Sequence, residues 1–372
     1  MRDILESIRS WTAPFAVATV VRTWKSSPRG PGAAMAVNAD GEAVGSVSGG
    51  CVEGAVYEVC REVLESGEPQ RVKYGVSDDD AFEVGLTCGG TIELFVQRLD
   101  PAAPDHLADL VAAVDAKRPT ALATVAAAQE AGLIGRHVLL VDGVARGGTG
   151  DERLDAAIVD VASGLLEHGR NQMVHLGTHG ERRMDELSVF VESFAPAPRM
   201  VVFGAIDFAA AVARIGSFLG YHVTVCDARP VFATRARFPE VDEIVVQWPH
   251  EYLQSIDVDE RTVLCVLTHD PKFDIPLLVE ALHGPAAYIG VMGSRRTHAD
   301  RNAQLLEQGI TQEQLARLRS PIGLDLGAHT PEETAVSIAA EIVAQRWGGT
   351  GRPLRDVETP IHREPAAVTA RS

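Results

Sequence analysis

Cysteine is scarce in this chain. The five present, Cys51, Cys60, Cys88, Cys226 and Cys265, form no CxxC pair and follow no regular spacing. That excludes a disulfide framework and fits a reducing compartment, so a cytoplasmic location is expected. Positive charge is also short: 34 Lys and Arg stand against 51 Asp and Glu, for a formal net charge of −17. Such a chain repels nucleic acid and anionic membrane surfaces, and neither is expected as a partner. A polyanionic small molecule would have to be held by local backbone N–H groups and a few arginines. No basic start leads into an apolar run, and no apolar stretch is long enough to cross a bilayer. His175 and His179 are four apart, but Gly177 lies between them and no helix face aligns them, so no side-chain metal cluster is read there.

What is present is core-forming. Hydrophobic residues make up 46% of 372, enough for two or three domains. The pattern divides into 1–100, 101–198, 199–347 and 348–372. In the first block an alternating strand, Phe15 to Val21, leads through the loop SSPRGPGA to a second strand at Met35 to Asn38, and Asp40-Gly41 marks a hairpin turn. Val56, Val59, Cys60, Val63 and Leu64 fall on one helix face that Gly67 closes. A strand, Thr91 to Val96, follows Cys88-Gly89-Gly90.

The second block reads as a degenerate copy. Ala16-Val-Ala-Thr-Val20 is echoed by Ala121-Leu-Ala-Thr-Val125, Val63 to Gly67 by Leu165 to Gly169, and Ile92 to Val96 by Leu187 to Val191. Ser48-Gly-Gly-Cys51 becomes Gly150-Asp-Glu-Arg153 and Cys88-Gly-Gly90 becomes Arg183-Met-Asp185, so neither Cys51 nor Cys88 is needed merely to fold the scaffold. An internally duplicated unit is compatible with a homodimer. Block three alternates strand and helix from Arg199 to Trp347, which predicts a Rossmann-type, doubly wound parallel sheet. Its last helix opens on a capping box, Thr330 to Glu333. The fold class is therefore α/β, with an N-terminal α/β region carrying an internal duplication. The Gly-, Pro- and charge-rich remainder after Trp347 predicts a disordered tail.

Cys60, Cys226 and Cys265 lie in apolar patterns and read as small buried hydrophobes. Cys51 and Cys88 stand beside Gly-Gly turns. Cys51 falls at a helix start, with Glu53 two residues on, where N–H groups and the dipole favour a thiolate. Gly49 and Gly50 offer an anion nest with Ser48. The loop around Ser27 and Arg29 offers a hydroxyl and a guanidinium to a phosphate or a planar polar ring. In block three, Gly204 follows a strand, Asp227 ends the next, and the loops holding His269, Asp270 and Gly293, Ser294, Arg295, Arg296 follow others. By the strand-end rule these face one crevice, where Arg295 and Arg296 suit an anion. His269 with Asp270 reads as acid–base machinery or as a helix cap. GxGxxG would place glycine at Ile206, whose branched side chain obstructs a pyrophosphate, so NAD(P) is a doubtful ligand.

Together these segments resemble the xanthine dehydrogenase accessory family, the XdhC/CoxI type. The resemblance rests on SSPRGPGAAM (Ser26–Met35), GSVSGGCVEGAV (Gly45–Val56), CGGTIELFV (Cys88–Val96), RFPE (Arg237–Glu240), THDPKFD (Thr268–Asp274), YIGVMGSRRTHADR (Tyr288–Arg301) and SPIGLDLGAHTPEETAVSIAAEI (Ser320–Ile342). It implies an accessory protein rather than a stand-alone enzyme, one that binds molybdenum cofactor (molybdopterin), promotes its sulfuration with a sulfur donor protein, and passes it to a molybdenum hydroxylase client. Such a client is of the xanthine dehydrogenase or carbon monoxide dehydrogenase type. The chain lacks that partner's iron–sulfur cysteine sets. Where the family commonly shows GAGHVA, this chain has Gly204-Ala-Ile-Asp-Phe-Ala209. On this reading Cys51 is the principal contact to metal or sulfur and Cys88 the second, with Ser27, Arg29, Ser48, Gly49, Gly50, Glu53, Gly89, Gly90, Gly204, Asp227 and Gly293 to Arg296 around the cofactor. The alternatives are an NAD(P)-dependent oxidoreductase using His269 and Asp270, and a docking scaffold without cofactor.

Overall fold

The structure is a computed structural model that describes residues 1–24, 27–75, 90–102, 106–182 and 184–359. Contacts divide the chain into one unit of Met1–Pro196 and a second of Ala197–Glu358.

The first unit holds two antiparallel sheets. In the first, β1 (Phe15–Trp24), β2 (Ala34–Asn38), β3 (Ala43–Gly45), β4 (Gln70–Gly75) and β5 (Thr91–Leu99) are ordered β3-β2-β1-β5-β4. A short N-terminal helix α1 (Leu5–Ile8) precedes it, and α2 (Glu53–Ser66) crosses one face. Ala16, Ala18 and Val20 of β1 pack with Val56, Cys60 and Val63 of α2. Phe15, Val17 and Val21 pack on the other side. Cover on both faces is why β1 is a nearly continuous apolar run. Gly67 ends α2 in the left-handed region, at φ 74°.

The same arrangement recurs after helix α3 (Leu107–Asp115). The strands β6 (Thr120–Ala128), β7 (His137–Val141), β8 (Val144–Gly147), β9 (Gln172–Leu176) and β10 (Leu187–Phe194) are ordered β8-β7-β6-β10-β9, and α4 (Glu152–Glu167) takes the place of α2. Equivalence holds to the register: Ala18 pairs with Val96, and Ala123 with Val191. The ladder is interrupted between Val20 and Arg22, and again at the aligned step opposite Ser188 and Val189. The residues left over at the two irregularities, Val21 and Ala126, meet Phe95 and Phe190 in one small cluster between the sheets. The duplication read from the sequence is thus a packed pair of like sheets.

The second unit has a six-stranded parallel sheet. Its strands are β11 (Arg199–Phe203), β12 (His222–Cys226), β13 (Glu243–Val245), β14 (Val263–Val266), β15 (Tyr288–Val291) and β16 (Leu318–Arg319), in the order β13-β12-β11-β14-β15-β16. This is the 3-2-1-4-5-6 arrangement of a dinucleotide-binding fold. Helices α5 (Asp207–Phe218) and α10 (Pro331–Trp347) cover one face. The other face is covered by α6 (Pro249–Gln254), α7 (Pro271–His283), α8 (Arg295–Glu307) and α9 (Gln312–Leu315). Met200 and Val202 point to the first layer, Val201 and Phe203 to the second.

Cys60, Cys226 and Cys265 are fully buried, and burial pushes all three thiols up to about 12, as expected of inert core residues. The Thr330 capping box forms as expected. Beyond Trp347, residues 348–359 carry a 3₁₀ turn at Leu354–Asp356, and the rest of the expected tail lies outside the described residues.

Candidate functional site

The Gly45–Gly54 stretch connects β3 to α2, and its centre is Glu53. One carboxylate oxygen accepts from the Ser46 hydroxyl at 2.6 Å and the Ser48 N–H at 2.9 Å. The other accepts from the Ser48 hydroxyl at 2.5 Å, the Gly50 N–H at 2.8 Å and the Val52 N–H at 3.2 Å. Burial alone would raise this carboxyl, but the hydrogen bonds from Ser46 and Ser48 outweigh it and hold Glu53 down at about 2. The remaining loop donors also turn inward: Gly49 N–H meets the Ser46 hydroxyl, and the Cys51 and Val52 N–H groups meet the Ser48 hydroxyl. This corrects the expectation of an open nest. The N–H groups of Gly49 and Gly50 are aimed at the chain's own acceptors, and Glu53 closes the loop instead of facing a ligand.

Gly49 and Gly50 sit at φ 77° and 116°, where side chains are strained, and a Cβ on either would meet nothing within 4 Å. The glycines are therefore needed for conformation, and the loop's outer side is open. Cys51, a half-buried thiol outside any disulfide, stands on that loop two residues before α2 begins.

The second copy supplies an internal control. Asp155, aligned with Glu53, accepts from both the N–H and the hydroxyl of Thr149 at 2.7 Å. Both copies thus close the loop with a carboxylate, whereas the Gly-Gly-Cys segment belongs to the first alone.

The other predicted groups of the first unit are likewise engaged. The buried Ser27 hydroxyl donates to the Arg29 carbonyl at 2.9 Å, and Arg29 pairs with Asp3 at 2.6 Å. Asn171, from the second copy, donates to the Pro31 carbonyl at 3.0 Å and accepts from the Ser193 N–H at 2.8 Å. Sequence reasoning missed this residue, since nothing local links it to the first copy. Gly90 is buried just before β5, while Cys88, Gly89 and Asp78–Asp80 lie outside the described residues.

In the second unit the remaining candidates gather at the carboxyl ends of the parallel strands. Gly204 follows β11 at φ 102°, and a Cβ there would fall 2.9 Å from Thr268 Cγ2 and 3.0 Å from its backbone nitrogen. This glycine therefore admits the loop after β14. Ile206 is in extended geometry at the N-cap of α5 and packs on the core. Asp227 is 2% exposed, and its carboxylate accepts from the Ala205 N–H at 2.7 Å and from Arg229 at 2.8 and 2.9 Å. Burial raises this carboxyl, but the Arg229 and Ala205 hydrogen bonds bring it below the ordinary value. The acid that would grip a ribose diol in a dinucleotide enzyme is here bonded to its own neighbour.

His269 is exposed. Asp270 is the N-cap of α7, accepting from the Lys272 N–H at 3.1 Å and pairing with the Lys272 ammonium at 3.0 Å, which lowers its carboxyl. Of the two readings, the cap describes Asp270. Ser294 is the N-cap of α8, and Arg295 and Arg296 stand exposed in its first turn, which holds no acidic residue. The described residues contain no cluster of three or more His, Cys, Asp or Glu able to hold a metal.

Two family models match this chain: the XdhC and CoxI family over residues 11–75, and the XdhC Rossmann domain over 200–342. The chain belongs to the XdhC and CoxI family. Its two matched segments are the ones that carry the β3–α2 loop and the strand-end loops. Over 93% of its length it is 26% identical to the molybdenum cofactor insertion chaperone PaoD of Escherichia coli, covering 87% of that protein. It is also 26% identical to a Bacillus subtilis protein named as a probable xanthine dehydrogenase subunit, over 89% of this chain and 92% of that one. A crystal structure of a xanthine dehydrogenase from Bacillus halodurans is similar across 92% of this chain and 94% of its own, with 26% identity and a TM-score of 0.66. For this XdhC/CoxI member, no described helix is long and apolar enough to cross a membrane.

Proposed function

We propose that this chain is an accessory protein that binds molybdenum cofactor, aids its sulfuration with a sulfur donor, and inserts it into a molybdenum hydroxylase client. The observation that carries the reading is the near full-length match to a relative named as a molybdenum cofactor insertion chaperone. The chemistry of the residues supports it. A thiol on a rigid, outwardly open glycine loop suits a soft metal–sulfur centre, and that describes Cys51. Two exposed arginines in the first turn of α8, where the helix dipole disfavours cations, suit an anionic group such as a phosphate.

The test is Cys51→Ala, co-expressed with a molybdenum hydroxylase and purified anaerobically. The variant is expected to melt with the wild type, because Cys51 is only partly packed on the core. Bound molybdenum and oxidised pterin should fall about tenfold or more, along with client activation. Undiminished cofactor and activation would remove Cys51 from the reading. Client capture without any pterin on the wild type would favour the docking scaffold.

The crevice makes a further prediction. With Ile206 where a glycine would admit the pyrophosphate and Asp227 bonded to Arg229, calorimetric titration with NAD or NADP is expected to give no saturable heat. Micromolar affinity for either would reinstate the oxidoreductase alternative.

A further inference from the structure

At the carboxyl ends of the parallel strands lies a buried charged network that none of the proposed chemistry uses. Arg301 in α8 and Asp274 in α7 are both about 4% exposed along their side chains, and they pair at 3.0 Å. The other Asp274 oxygen accepts from the Thr268 hydroxyl. Arg301 also donates to the Met292 carbonyl at 3.1 Å and to the Ser320 hydroxyl at 3.3 Å. Thr268, Met292 and Ser320 each follow a strand, namely β14, β15 and β16. The Arg301–Asp274 pair therefore ties the carboxyl ends of three neighbouring strands, two through the guanidinium and the third through the carboxylate.

The placement of the ties matters. His269 and Asp270 lie between Thr268 and Asp274, which are bonded to each other. Gly293 to Arg296 lie between Met292 and Arg301, which are bonded to each other. Each candidate segment is a short span whose two ends are fixed to the same buried group. Burial raises the Asp274 carboxyl in spite of Thr268 and Arg301, so the pair is held against a desolvation cost. Buried ion pairs can often be replaced by apolar residues of like size without loss of stability. Stability alone therefore does not explain this one.

We propose that Arg301 and Asp274 are positioning residues that set the 269–270 and 293–296 segments in place to receive the anionic part of the cofactor. The inference rests on the proposed cofactor-handling reading, and its test is built so that the two can fail separately. The double variant Asp274→Leu/Arg301→Met removes both charges, and Arg301→Lys keeps the charge but loses the planar fork. Each is compared with the full-length wild type in three measurements: thermal melting, amide hydrogen exchange followed by mass spectrometry, and activation of an apo molybdenum hydroxylase.

The double variant is expected to melt close to the wild type. Exchange should be about tenfold faster or more in peptides spanning 268–274 and 292–298, and unchanged in α5. Client activation should fall about tenfold or more. Wild-type exchange, or faster exchange with full activation, in a variant that melts normally overturns the proposal. If the double variant does not fold, Arg301→Lys decides by the same criteria. If the wild-type protein activates no client, the cofactor reading fails, and the exchange measurement alone decides whether the network holds the segments.

Discussion

Arg301→Met alone should be among the most destabilising single substitutions in the second unit, costing about 3–5 kcal/mol, because it leaves the Asp274 carboxylate buried without its counter-charge. The loss should appear in urea unfolding as a lowered midpoint at unchanged slope. Its pH dependence has a definite sign. In the variant, Asp274 keeps the burial that raises its pKa and loses the guanidinium that opposes it, so its folded value climbs further above the ordinary 3.8. Between 3.8 and that raised value the folded state binds the extra proton, so the variant's stability deficit relative to the wild type should shrink as pH falls through this window. A deficit relative to the wild type that widens in that window would show that Asp274 is not the group left exposed to the penalty.

Glu53→Ala is the second large effect, and it concerns the first unit. Ser46, Ser48, Gly50 and Val52 would lose a charged acceptor together, and the loop is half-buried, so a cost of about 2–3 kcal/mol is expected. Here the sign is opposite. Glu53 is held at about 2 against an ordinary 4.5, so its contribution is complete above pH 4.5 and is lost as pH falls toward 2. The stability gap between wild type and Glu53→Ala should therefore close in acid. Glu53→Asp, which copies the carboxylate of the second repeat, should recover part of the loss. A gap that stays constant from neutral pH to pH 3 would mean that the carboxylate does not hold the loop.

The fold was legible where side-chain period and terminus chemistry agree. The apolar face of α2, its closing Gly67, and the Thr330 box all reported on their own elements. The parallel sheet followed from the alternation of elements in block three. What escaped was either too short or set by distant partners. β4 reads QRVKYG with little apolar alternation, since it is an edge strand whose side chains are mostly half-exposed. β16 is two residues long. At the candidate site, the sequence singled out these loops but not how several groups in them are bonded. A carboxylate after Gly-Gly looks like a ligand group, and only the folded loop shows it bonded to its own N–H groups. The aligned Asp155 was the available signal, because a carboxylate present in both copies, one of them without the thiol, serves the scaffold. Asp274 and Arg301 form a contact across helices α7 and α8, which no local pattern reports.

The pairing of two like sheets around Val21, Ala126, Phe95 and Phe190 has an evolutionary consequence. In a dimer of identical chains, every substitution appears twice, and each half must tolerate what the other acquires. Here the halves are encoded separately. One carries Arg153 at the position of the thiol and lends support, as Asn171 does at the Pro31 carbonyl, while the other carries Gly49, Gly50 and Cys51. Two halves in one chain need not share a single sequence.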